Sequence, residues 1–157
     1  MDVPRFPEMP EGFEGRFVHA CVVVSDIEAA MAAYQSLLGA ERPRLKQTGA
    51  PEDARVVYRG EPTPARAWQA FFDLNGVRME LLQPDENPST WRDFLDRNGS
   101  CFHHIAYDVD DMDAAISLFR DLGAEVLQIG HYNGGMYVYI DTEKLLGVVL
   151  ELLVSTQ

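Results

Sequence analysis

Two histidines and two glutamates recur at matched points of a doubled pattern. His19-Ala20-Cys21-Val22-Val23-Val24-Ser25-Asp26 parallels His104-Ile105-Ala106-Tyr107-Asp108-Val109-Asp110-Asp111, and Gly76-Val77-Arg78-Met79-Glu80-Leu81-Leu82 parallels Gly147-Val148-Val149-Leu150-Glu151-Leu152-Leu153. If the two copies face one another, His19, Glu80, His104 and Glu151 converge as a mixed nitrogen and oxygen set suited to a divalent Co, Ni, Zn, Mn or Fe ion. Calcium would want more oxygen, and a structural zinc would want sulfur or a closed shell. Four ligands in an octahedral field leave two positions for water or substrate oxygens. An open divalent ion of that kind polarises a carbonyl and acidifies the carbon next to it, and a neighbouring carboxylate, Glu151 or Glu80, can then carry the proton.

The glutamates argue for this more strongly than the histidines do. Glu80 and Glu151 interrupt apolar runs, where an uncompensated buried carboxylate is costly. Arg78 could neutralise Glu80, but the second copy offers Val149 at that point, so an arginine pair explains one glutamate and not both.

The elements that must position these four side chains are legible as two βαβββ modules. Phe17 to Val24 reads as a strand. Ser25-Asp26-Ile27-Glu28 opens a helix with Ile27, Ala30, Met31, Tyr34, Leu37 and Leu38 on one face, and Gly39 closes it. The second copy repeats this with a strand from His104 to Val109, an acidic start at Asp110 and Asp111, an apolar face of Met112, Ala115, Ile116, Phe119 and Leu122, and then Gly123. Three strands are expected after each helix, over 42–47, 65–74 and 77–82 in the first copy and 125–130, 136–140 and 148–154 in the second. Domain boundaries follow: a flexible arm over 1–15, modules over 16–83 and 102–157, and between them a linker, 84–101, whose short helix is capped by Ser89 or Thr90.

Strand alternation assigns faces. With Val18, Val22 and Val24 under the first helix, His19, Cys21 and Val23 face the open side; Ile105, Tyr107 and Val109 go under the second helix and His104 and Ala106 to the open side. Glu80 and Glu151 fall on that same open face. His103 then points to the helix side or rim in a structural role, and His131 lies in a turn, His131 to Gly135. Trp68, Phe72, Tyr137 and Tyr139 are candidates to line an apolar substrate pocket, although aromatic core packing explains them equally well.

Composition narrows the partners. Thirteen basic against 25 acidic residues give a net charge of -12 over 157 residues, which disfavours nucleic acid and anionic membranes. Two cysteines without CxxC spacing suit a reduced, cytoplasmic protein. Met1 to Gly15 has neither the basic start nor the apolar stretch of a signal peptide, and no later run is long enough for a membrane span. No Walker, GxGxxG or HExxH pattern occurs.

From Arg16 to Val154 the chain resembles the vicinal oxygen chelate superfamily of glyoxalases, bleomycin-resistance proteins and extradiol dioxygenases; the paired His strand-helix starts and Glu-Leu-Leu strand ends carry the likeness. Within it, Met79-Glu80-Leu81-Leu82-Gln83-Pro84, Ser89-Thr90, Phe94-Leu95, Asn98-Gly99 and His103-His104-Ile105-Ala106 are similar to the methylmalonyl-CoA epimerase family. The resemblance implies an α+β fold in which two paired βαβββ modules form a curved half-barrel mixed sheet with helices outside. It also implies a divalent ion at His19, Glu80, His104 and Glu151, and 1,1-proton transfer through an enediolate. Relatives form dimers by pairing modules within a chain or swapping them between chains, so a homodimer is expected.

The resemblance has two departures. Glu80 stands where bacterial epimerases carry Gln, and makes the two-His, two-Glu set familiar from bacterial glyoxalase I. Gln69 falls, on ungapped alignment, where an epimerase base is expected, and an amide cannot take a proton. The expected activity is that of a metal-dependent isomerase, an epimerase or racemase at the carbon α to a carbonyl, acting on a CoA thioester or an α-substituted ketone. A glyoxalase I-like lyase and a non-catalytic, drug-binding resistance protein are the alternatives. Extradiol dioxygenase chemistry ranks below them, because a fourth protein ligand fills a position that oxygen or catechol needs.

Overall fold

The computed structural model describes residues 15–155. Apart from Gly15, the arm expected over 1–15 lies outside the described residues. The first half of the chain runs β1 (Arg16–Val23), α1 (Ile27–Leu38), β2 (Lys46–Gln47), α2 (Pro51–Ala54), β3 (Val57–Tyr58), β4 (Glu61–Pro62), β5 (Ala67–Leu74) and β6 (Val77–Pro84). After α3 (Thr90–Asn98) come β7 (Cys101–Asp108), α4 (Met112–Asp121), β8 (Val126–Tyr132), β9 (Gly135–Ile140), α5 (Glu143–Leu146) and β10 (Val149–Ser155). The strands form one mixed, strongly curled half-barrel sheet of ten strands in the order β2-β5-β6-β1-β7-β10-β9-β8-β3-β4.

Local chemistry sets most boundaries. Asp26, rather than Ser25, caps α1 by accepting from the Ala29 N–H, and Asp111 does the same for α4 through Ala114. Ser89 caps α3 through the Arg92 N–H. β5 and β6 meet at Asn75-Gly76 with φ of 56° and 88°, the left-handed pair that a tight hairpin requires.

The two halves join through β1 and β7, which pair antiparallel, while β6 and β10 flank them in parallel. One core cluster, with Ile27, Met31, Ala70, Phe72 and Leu81, sits under α1; another, with Met112, Ala115, Val138, Leu150 and Leu152, sits under α4. A third, with Cys21, Val23, Leu82, Trp91, Phe94, Tyr139 and Val149, fills the concave side beneath α3.

The β1–β7 ladder carries two bulges, and they change the expected faces. Phe17 and His19 pair with the consecutive residues Tyr107 and Ala106, leaving Val18 extra; Cys21 and Val22 pair with His104 and Phe102, leaving His103 extra. A bulge suspends alternation for one residue. Val18 therefore lines the concave side instead of packing under α1, and His103 turns inward instead of toward the helix side or rim.

The middle of the first half also departs from expectation. Only Lys46–Gln47 of the strand expected over 42–47 forms. Residues 51–62 instead make α2 and a small hairpin, β3–β4, turned at Arg59 and Gly60 with φ of 49° and 84°. That hairpin pairs with β8, at the opposite end of the sheet from β2. Residues 48–56 thus run from one end of the curled sheet toward the other, and Thr48, Gly49, Ala54 and Val56 form part of the wall of the concave cavity.

Candidate metal centre

His19 comes from β1, Glu80 from β6, His104 from β7 and Glu151 from β10, four neighbouring strands at the middle of the sheet. The ladders place Cys21 opposite both Glu80 and His104, and Ala106 opposite both His19 and Glu151. The small residues Cys21 and Ala106 leave room for the larger donors to meet. All four donors are almost completely buried.

Their atoms converge. Nε2 of His19 lies 3.2 Å from Nε2 of His104, 3.2 Å from Oε2 of Glu80 and 3.2 Å from Oε2 of Glu151. Nε2 of His104 lies 3.4 Å from Oε2 of Glu80 and 3.2 Å from Oε2 of Glu151. A cation with bonds of about 2.1 Å separates adjacent ligands by about 3.0 Å in an octahedron and about 3.4 Å in a tetrahedron. His19, Glu80 and His104 form a buried triad that can bind a metal ion. Oε2 of Glu151 faces both imidazoles with no hydrogen bond aimed at it, an unusual state for a buried carboxylate oxygen.

Electrostatics tell the same story. Burial opposes charge on His19, but its contacts with Glu151 and Glu80 outweigh that and push its pKa up to about 9. His104 is raised by the same balance. Burial alone would raise both carboxylates, yet the two imidazoles hold Glu80 and Glu151 well below the usual carboxylate range. The cluster stores two negative charges that need a cation, whether protons on imidazole or a metal ion.

A cavity of about 260 Å³ opens onto this cluster, with His19, Glu80 and Glu151 in its wall. Gln69 lines it and donates from Nε2 to Oε1 of Glu80 at 2.6 Å. Tyr137 and Tyr139 line it too; the Tyr139 hydroxyl accepts from Trp91 Nε1 at 3.0 Å and that of Tyr137 from Gln128 Nε2 at 3.3 Å. Arg78 leaves Glu80 to the imidazoles and stacks on Phe71, 4.6 Å from the ring centroid, while Lys46 Nζ lies 5.0 Å from the same centroid. His131, expected in a turn, belongs to β8 and touches the cavity wall.

Trp68 and Phe72 are not brought to this cavity. The β5–β6 register pairs Phe71 with Glu80 and Phe72 with Met79, so Phe71 shares the face of the metal centre and Phe72 packs under α1 against Tyr34. Trp68 shares the parity of Ala70 and Phe72 and is 41% exposed. Phe71 and Lys46 were the residues that sequence reasoning missed. The Asn75-Gly76 hairpin contained the signal for Phe71, because folding the chain about that turn sets Phe71 directly across from Glu80.

The chain is also similar to known proteins in sequence and fold. An ethylmalonyl-CoA/methylmalonyl-CoA epimerase of Cereibacter sphaeroides is 33% identical over 143 residues, 88% of this chain and 96% of that protein. The crystal structure of methylmalonyl-CoA epimerase from Mycobacterium tuberculosis shares the fold with a TM-score of 0.60 at 20% identity, over 90% of this chain and 88% of that one. A Streptomyces coelicolor methylmalonyl-CoA epimerase variant in complex with 2-nitronate-propionyl-CoA superposes with a TM-score of 0.57 at 22% identity, over 89% of this chain and 94% of that one. Residues 18–140 match the family model of the glyoxalase/bleomycin resistance protein/dioxygenase superfamily, and the chain belongs to that superfamily.

Proposed function

We propose that this protein is a metal-dependent epimerase that moves the proton on the carbon α to the carbonyl of a malonyl-type CoA thioester, with His19, Glu80, His104 and Glu151 as the ligand set. The observation that carries the reading is the approach of the two imidazole Nε2 atoms to one another and to one oxygen of each glutamate at 3.2–3.4 Å on a buried cavity wall. A divalent ion held there supplies Lewis acidity at a carbonyl oxygen and so lowers the pKa of the adjacent C–H.

The chain's own residues divide the remaining work. Glu80 has both oxygens engaged, Oε1 by Gln69 and Oε2 by the imidazoles. The same imidazoles face Oε2 of Glu151 at 3.2 Å, but no amide is paired with Glu151 among the described residues, which makes it the more available base, so it takes the α-proton. Gln69, an amide, orients Glu80 and moves no proton. Return of the proton to the opposite face then falls to the other cavity carboxylate, Glu80, or to water.

The dimensions suit a thioester whose reactive end alone is enclosed. A cavity of about 260 Å³ is smaller than the roughly 300–1,000 Å³ that holds a drug-sized ligand. The acyl group enters it and the nucleotide stays outside. Arg78 and Lys46 stand at the wall in cation–π contact with Phe71 and in no ion pair among the described residues, which favours an acyl group bearing a free carboxylate despite the acidic surface.

The test is deuterium wash-in at the α-carbon of racemic methylmalonyl-CoA and ethylmalonyl-CoA in D2O, with the chelated protein and with the protein reloaded with Co(II), Ni(II), Zn(II) or Mn(II). Metal-dependent exchange with loss of optical activity is expected; absence of exchange with every metal defeats the proposal. A second reading, a glyoxalase I-like lyase, draws on the two-His, two-Glu composition and on Gln69 in place of a further base. Turnover of the hemithioacetal of methylglyoxal, with no exchange on the thioesters, would favour it.

A further inference from the structure

The two halves place an extra bulge residue immediately before each candidate imidazole, Val18 before His19 and His103 before His104. In the first half that residue is apolar, and Nδ1 of His19 has no hydrogen-bond partner among the described residues. In the second half the bulge turns the His103 ring against its neighbour: Nδ1 of His103 lies 2.7 Å from Nδ1 of His104, and Nε2 of His103 lies 3.2 Å from Oγ1 of Thr90. His103 is fully buried, with Phe94 edge-on at 4.6 Å between ring centroids and Tyr139 at 5.4 Å. Thr90 is itself held, its backbone N–H donating to Oε1 of Gln128 at 2.9 Å. A fully buried imidazole braced on both nitrogens is more than packing.

We infer that His103 is a positioning residue for the metal centre, a neutral imidazole that accepts the Nδ1–H of His104 and donates its own Nε2–H to Thr90 at the start of the linker helix α3. Proton bookkeeping fixes the direction. A ligand Nε2 must be bare, so His104 carries its proton on Nδ1; only one hydrogen fits between the two Nδ1 atoms, so Nδ1 of His103 accepts. His103 then holds its proton on Nε2, where the Thr90 hydroxyl oxygen receives it. The ring of His104 is thereby locked in one tautomer and one orientation, while His19 is left to adjust. The linker between the halves becomes part of the outer shell of the centre, and the twin imidazoles become unequal.

This inference rests on the proposal that the centre binds a divalent ion, and its test separates the two. Long-range ¹H–¹⁵N spectra of imidazole-labelled protein should show His103 as the neutral Nε2–H tautomer with and without Zn(II), and His104 ligated through Nε2 in the loaded form. His103→Phe, which keeps a ring against Phe94 and loses the acceptor, should weaken Zn(II) binding about 10- to 100-fold. His103→Asn, which keeps an acceptor at the δ position, should recover much of that loss. Full Zn(II) affinity in His103→Phe, or a proton on Nδ1 of His103 in the wild-type protein, overturns the inference. If the wild-type protein binds no ion, the metal reading falls, and the His103 tautomer in the metal-free protein still decides the hydrogen-bond direction. Should His103→Phe fail to fold, the wild-type spectra decide alone.

Discussion

Gln69 donates from Nε2 to Oε1 of Glu80 at 2.6 Å, and in doing so occupies the one oxygen of that carboxylate that does not face the imidazoles. Glu80 is thus held on both oxygens, while Glu151 meets the same imidazoles through Oε2 and has no amide partner among the described residues. The two glutamates, alike in sequence context, are unequal in the fold, and the proposed role of Glu151 as base rests on that inequality.

Replacing Glu151 by Gln should therefore lower the rate of α-proton exchange by about 10²- to 10⁴-fold, the usual contribution of a positioned base. Single-turnover isotope exchange at saturating metal measures it. A variant that exchanges at the wild-type rate would remove Glu151 from the role.

Gln69→Glu would set a second carboxylate beside Glu80. Two carboxylates at that separation cannot both ionise, so the pair should hold a proton at neutral pH and add a new ionisation to the pH–rate profile. Gln69→Leu, lacking any donor, should weaken metal binding about 10-fold or more without adding an ionisation. Isothermal titration with Zn(II), alongside the pH–rate profile, distinguishes the two outcomes.

The metal-free protein should be most stable near about pH 6.5, because burial lowers the pKa of the neutral His103 and its contribution turns unfavourable as pH falls below that value. His19 has a folded pKa raised from 6.5 to about 9, so its contribution is complete below 6.5 and is lost as pH rises through about 9. Glu80 and Glu151 are depressed below 4.5, so theirs is present above that value and lost as pH falls toward their lowered values. A divalent ion replaces the imidazole protons. Thermal melts of chelated protein should decline from pH 6.5 to 9, while the zinc-loaded form, measured in parallel, should hold or rise over that range.

Phe71 and Phe72, adjacent in β5, should fail in opposite ways. Phe72→Ala empties a site in the core under α1 and should cost about 3–5 kcal/mol of stability while leaving metal stoichiometry intact. Phe71→Ala removes the platform on which Arg78 and Lys46 rest, and should raise KM for a carboxylate-bearing thioester with a smaller loss of stability. Denaturant unfolding together with steady-state kinetics separates them.

Much of the candidate site was legible in the chain before any fold was known. His19, Glu80, His104 and Glu151 announce themselves because a duplicated pattern marks equivalent positions, and because period-two alternation puts all four on one face of their strands. The helix caps at Asp26 and Asp111 and the Asn75-Gly76 turn are equally local, since each satisfies backbone groups within a few residues. The pairing of Phe71 rather than Phe72 with Glu80 was implicit in that turn.

Tertiary structure decided the rest. The bulges at Val18 and His103 exist only where β1 meets β7, because an extra residue is defined by its partner strand and leaves no periodic trace of its own. The β3–β4 hairpin has two-residue strands, too short to show alternation, and it joins β8 through contacts with residues some 70 positions away. Composition and spacing thus determined which side chains could bind an ion. Only long-range strand pairing determined that His103 would brace one of them, and that residues 48–56 would wall the cavity.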